Sequence, residues 1–187
     1  MFFNTAWGLI LTFALVCLVE NILMYAVGWY GYGKRAMYAH NKYLPPGYMI
    51  GIVWIGIFAA LGYAFFLSYS GDPTVDYLEN PKGWNKGCIV IIVVASWCLL
   101  YPFMTMFIPA EYIRILNYVS LLMAFVVSLF VFQECVAAFW YTLPLLLWTA
   151  YVCFADLMAC KDCQGCSMHH LMELDIKVMK KSPLKKM

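Results

Sequence analysis

Large aromatic side chains recur at helical spacing in three apolar stretches of this 187-residue chain, with carboxyl groups among or near them. The first group is Tyr48, Trp54, Phe58 and Tyr63, opened by Pro45-Pro46. Positions 54 and 58 are four apart and share one helix face. Trp97 and Tyr101 repeat that spacing. Trp148 and Tyr151 are three apart, and Asp156, eight beyond Trp148, lies within roughly 80° of it on a 3.6-residue helix. Stacked rings can hold a flat apolar molecule, and a few hydroxyl or carboxyl groups at their edge orient it. The chemistry such a set supports is binding. Nothing resembles a hydrolase: no Ser-His-Asp set, phosphate loop or HExxH pattern occurs, and His40 is a lone loop histidine.

Two further groups could do chemistry. Glu20-Asn21 falls near the middle of the first apolar stretch. An ionised carboxylate inside a bilayer costs at least ~2–3 kcal/mol on insertion scales. Glu20 is therefore expected to face a bundle interior or to carry a proton. It is either a pocket group, a proton-linked site, or a carboxyl satisfied by a Ser or Tyr hydroxyl of a neighbouring helix. Near the C-terminus stands Cys160-x2-Cys163-x2-Cys166-x2-His169-His170. Thiolates and imidazole are good zinc ligands. The run is compact rather than split into two half-sites, however, and juxtamembrane cysteines are common acylation sites. Acylated or free thiols rank first, and a metal held by Cys160, Cys163, Cys166 and His169 second. The other five cysteines read as small apolar residues.

The elements that must position these groups are membrane helices. The composition is 65% hydrophobic and 12% charged, against about 25% charged in soluble domains. A helix crosses the hydrocarbon core with about 20 apolar residues. Five stretches qualify, at about 6–30, 46–69, 87–108, 113–133 and 136–159. They are continuously apolar, without the alternation of barrel strands. The expected fold is all-α: a compact bundle of five spans over residues 1–160, followed by a Cys/His and basic tail at 161–187. The first basic residue is Lys34, so the basic region of a cleavable signal is missing and the first helix is expected to be an uncleaved anchor.

Orientation follows the short-loop basic residues. One side of a five-span chain receives Lys34, Arg35, Lys42, Arg114, Lys161, Lys177, Lys180, Lys181, Lys185 and Lys186; the other receives only Lys82 and Lys86, beside Asp72, Asp76 and Glu79. The expected arrangement has the N-terminus outside and the C-terminus cytosolic, and leaves the organelle open among the outer mitochondrial, endoplasmic-reticulum and plasma membranes. Leu171, Leu174 and Val178 recur near helical spacing among lysines, which reads either as an interfacial helix or as a disordered basic end. A net charge of +2 gives no reason to expect nucleic acid; the basic tail suits anionic lipid headgroups.

The motifs resemble those of the translocator protein / tryptophan-rich sensory protein (TspO/MBR) family. Its second helix begins Pro-Pro-x-Trp, followed by a tryptophan and an aromatic four residues on. This chain has Pro45-Pro46-Gly47-Tyr48, then Trp54, Phe58 and Leu61-Gly62-Tyr63. The family's fifth helix reads Pro-Tyr-x2-Trp-x3-Ala-x3-Asn, matched in spacing by Pro144, Leu145, Trp148, Val152 and Asp156. The chain would be a divergent member. Val90 and Val94 stand where the third helix usually carries amide side chains, and between Asp156 and Lys161 there is no tyrosine of the kind the sterol pattern requires close before a basic residue.

The resemblance implies a receptor or sensor with a pocket open towards the cytosolic side. It would bind hydrophobic planar ligands: porphyrin or haem, sterols, and benzodiazepine- or isoquinoline-type compounds. No cofactor is required. Some family members have been linked to light-driven porphyrin breakdown, a minor enzymatic alternative, and the family often dimerises. The expected ligand-binding set is Tyr48, Trp54, Phe58, Tyr63, Trp97, Tyr101, Trp148, Tyr151, Asp156 and Glu20. A second function class is a structural or assembly membrane protein whose aromatics only pack and anchor. A third, a small transporter, is disfavoured by the lack of a repeat pair.

Overall fold

The computed structural model describes residues 5–26, 43–70, 84–108 and 110–163. Among these, all regular structure is helical. The helices are α1 (Ala6–Ala26), α2 (Gly47–Ser70), α3 (Lys86–Phe107), α4 (Ala110–Glu134) and α5 (Val136–Cys163). All five are long and apolar enough to cross a membrane, which fits a multi-pass membrane protein. Three of the five starts have a local cause. The Thr5 hydroxyl accepts from Gly8 N at 3.1 Å, and the Asn85 side chain accepts from Cys88 N at 2.9 Å; both are N-cap bonds. Pro46 precedes α2, where its carbonyl accepts from Met49 N and Ile50 N and its missing N–H costs nothing.

The expected spans agree with the helices to within a few residues, with two differences. Residues 27–30, the end of the first expected span, lie outside the described residues. The fifth helix runs on to Cys163, so Cys160 and Cys163 belong to its last turn rather than to a separate tail. Cys166 and His169 lie outside the described residues, as do the 31–42 loop and everything from 164 onward.

Helix α2 packs against α1, α3 and α5, and α4 packs against α3 and α5. The four helices α2, α3, α4 and α5 thus close a ring, with α1 flanking α2 and barely touching α3. Neighbours run antiparallel. An added Cβ on Gly62 would meet the Leu9 carbonyl oxygen at 2.7 Å, and one on Gly51 would meet Asn21 Oδ1 at 3.0 Å. At Gly62 the two backbones approach so closely that only a residue without a side chain fits. One core runs through the ring and includes Phe58, Leu61, Phe65, Ile91, Val94, Val127 and Leu145. Large apolar side chains such as Ile22, Val93, Leu122 and Leu147 point outward, as lipid-facing surfaces do.

Candidate functional site

The described tryptophans divide into two sets. Trp7, Trp84 and Trp140 are 72%, 67% and 63% exposed. Trp54, Trp97 and Trp148 are half-buried, and all three pack against the single core. Those three are the indoles singled out by spacing. They come from α2, α3 and α5, three walls of the ring. No ring contact among the described residues joins one indole of the set to another; each has a different partner. Trp54 meets Phe58 edge-on at 6.2 Å. Trp148 lies 5.6 Å from Tyr151. Trp97 donates from Nε1 to Ser120 Oγ on α4 at 2.9 Å.

Polar groups join the three helices α3, α4 and α5. The Tyr101 hydroxyl donates to Asn117 Oδ1, and Asn117 Nδ2 donates to Asp156 Oδ2. Asn117 is 3% exposed, so the bridge is an interior one. Ser120, one turn further along α4, takes the Trp97 bond and donates to Leu116 O at 2.9 Å. Arg114, one turn the other way, is exposed. Deeper in the bundle, Thr142 donates to Ser128 Oγ at 3.1 Å and so ties α4 to α5 again.

The remaining predicted residues fall in several places. Phe58 is buried in the core. Tyr63 meets Tyr141 of α5 edge-on at 4.6 Å and stacks on Phe66 at 6.0 Å, which ties α2 to α5. Tyr151 donates to the Tyr43 carbonyl oxygen and holds the segment before α2 onto α5. Tyr48 is 67% exposed on the outer surface and does not join the set. The Glu20 side chain points inward, yet its Oε1 is buried with no hydrogen-bond partner. The neighbouring hydroxyl that one reading expects for it is not supplied by the described residues. Cys17, Cys88, Cys98, Cys135 and Cys153 are free thiols, four of them buried, as small apolar residues are. No group of three or more His, Cys, Asp or Glu able to hold a metal occurs among the described residues; half of the Cys/His run lies outside them.

The span at 113–133 is among those expected, but none of the expected site residues lies on α4. Arg114, Asn117 and Ser120 are spaced three apart in a largely apolar span, which puts them along one face. That spacing was the available signal. The site it belongs to is a layer near one end of the bundle. Glu20, Trp54, Tyr101, Asn117 and Asp156 each lie six or seven residues from the nearer end of their helix, about 9–11 Å in at 1.5 Å per residue. Trp97 and Trp148 lie deeper. Every helix therefore contributes one aromatic, amide or carboxyl group to a shared depth. Comparison of the chain with known protein families, with curated proteins and with solved structures finds no match. The TspO/MBR resemblance rests on the motifs in α2 and α5 alone.

Proposed function

We propose that the protein is a TspO-like membrane receptor or sensor that binds a hydrophobic, planar small molecule in an intramembrane aromatic pocket. The observation that carries this reading is the division of the tryptophans. The three placed by motif spacing turn inward against one core, while Trp7, Trp84 and Trp140 turn outward. An indole that only anchors a helix gains most at the bilayer surface. Indoles from three walls of one ring offer flat apolar faces, and the Tyr101–Asn117–Asp156 bridge offers a few polar atoms beside them, the combination small-molecule sites use. Ligands that suit it are porphyrin or haem, sterols and benzodiazepine-type compounds, in line with the family resemblance. The orientation that goes with this reading is N-terminus outside and C-terminus cytosolic, which opens the polar layer towards the cytosol.

The test is quenching of tryptophan fluorescence by protoporphyrin in the purified protein. Wild-type protein is expected to show saturable quenching. Trp54→Phe, Trp97→Phe and Trp148→Phe each reduce its amplitude, whereas Trp140→Phe does not. Saturable quenching that is absent from folded wild-type protein sinks the proposal. A second reading is that the aromatics and polar groups are purely structural. It is favoured by one observation: Tyr101, Asn117 and Asp156 bond to one another across three helices. On that reading Trp54→Phe and Trp148→Phe lower thermal stability and leave every ligand response unchanged.

A further inference from the structure

Glu20 belongs to the inward stripe of α1. Gly8, Cys17 and Met24 are buried, and Ala6, Leu9 and Phe13 pack against the core; positions 6, 9, 13, 17, 20 and 24 are spaced three or four apart and form one face. One contact fixes its depth. Asn21, its neighbour, lies against Gly51 of α2, one turn before Trp54. Helix α1 packs along α2 and touches α3 only slightly. Glu20 thus enters the polar layer from the α1 side, beside the α2 segment that carries Trp54.

The two sides of the layer differ in one respect. Across α3, α4 and α5 the polar groups are bonded to one another. Asn21 is also occupied, donating to the Cys17 carbonyl oxygen at 2.8 Å. Glu20 Oε1 is sealed from solvent without a donor. A buried carboxyl oxygen left without a donor is costly, and native structures rarely keep one unless something outside the chain satisfies it. An intramembrane acid of this kind marks a binding or transport path by default.

We infer that Glu20 is the headgroup acceptor of the proposed pocket and selects planar hydrophobic ligands that carry a protonated amine over those that carry a carboxylate. The inference rests on the reading of the indoles as a ligand site and names the ligand chemistry that reading leaves open. A ligand ammonium donates to the Glu20 carboxylate in a charge-assisted bond, while its ring system lies against Trp54. A ligand carboxylate brings Oε1 no donor.

The experiment uses three matched probes, pyrenemethylamine, pyrenemethanol and pyreneacetic acid, with the full chain in phosphatidylcholine nanodiscs. Energy transfer from tryptophan to pyrene reports binding. The wild-type protein is expected to bind the amine about ten- to a hundredfold more tightly than the acid. Glu20→Gln reduces that preference to within about twofold. Because partitioning into the bilayer is the same for both proteins, the comparison isolates the side chain. An amine preference that survives Glu20→Gln overturns this inference and leaves the pocket standing. Saturable transfer that is absent for all three probes in the wild type overturns the pocket itself. Should Glu20→Gln bind no probe, Glu20→Asp decides: a retained amine preference supports the inference, and its loss assigns Glu20 a structural role.

Discussion

Asn117 ties three helices together with one amide. Its carbonyl accepts from Tyr101 of α3 and its NH2 donates to Asp156 of α5. Hydrogen bonds between membrane helices are worth about 0.6 kcal/mol on average and up to ~1.7. Asn117→Ala is therefore expected to lower stability by about 1–2 kcal/mol, read as a fall in the thermal unfolding midpoint in detergent. Asp156→Asn keeps an acceptor for Asn117 and should cost less. The double variant Asn117→Ala/Asp156→Leu should cost less than the sum of its parts, because both changes remove the same bond. At this scale the sequence was only partly legible. Trp54, Trp97 and Trp148 could be picked by spacing because tryptophan is large and its repeats stand out. Asn117 and Ser120 are small polar residues in an apolar run, and their role depends on which helix faces them. That pairing is set by tertiary packing, which spacing within one helix does not reveal. Tyr48 shows the converse: the motif selects it, but its place on the first turn of α2 turns it outward.

Helices were the most legible feature, because a continuous apolar run of about 20 residues has few other options in a membrane. Their ends were less so. Helix α5 continues past its apolar part to Cys163 because Cys160-Lys161-Asp162-Cys163 contains no residue that breaks a helix; the first glycine after it is Gly165. The packing of α1 on α2 gives a sharp prediction from two glycines of the same helix. A Cβ at Gly62 would lie 2.7 Å from a backbone oxygen of α1, which cannot swing aside as a side chain does. Gly62→Ala is expected to destabilise the protein by about 1–3 kcal/mol, as overpacking does. A Cβ at Gly56 would meet nothing within 4 Å. Gly56→Ala should be neutral or slightly stabilising, since alanine is the better helix former by about 1 kcal/mol. Thermal unfolding of the two variants side by side checks both signs. Equal effects would mean that α1 does not rest on Gly62.

At the level of the whole molecule, Trp7 and Trp84 stand at the starts of α1 and α3, and Trp140 stands in the first turns of α5. These starts share the bundle end opposite the polar layer, so the exposed indoles form a girdle at one bilayer surface. Lipids brominated close to the headgroup should quench these three more strongly than lipids brominated near the chain end. Triple replacement of Trp7, Trp84 and Trp140 by Phe should remove that difference and spare any ligand response. The closure of the ring could not be read from the chain, because α2 and α5 are far apart in sequence and meet through contacts such as Tyr63–Tyr141. That closure also imposes an order in time. Helices α1 and α2 can pair as a hairpin while the ribosome is still at work, but the α2 face that carries Tyr63 has no partner until the fifth span emerges. During translation of all that lies between, this face must be shielded by lipid or by the insertion machinery, so a ribosome that stops short of α5 releases a protein with one side of its central helix permanently bare.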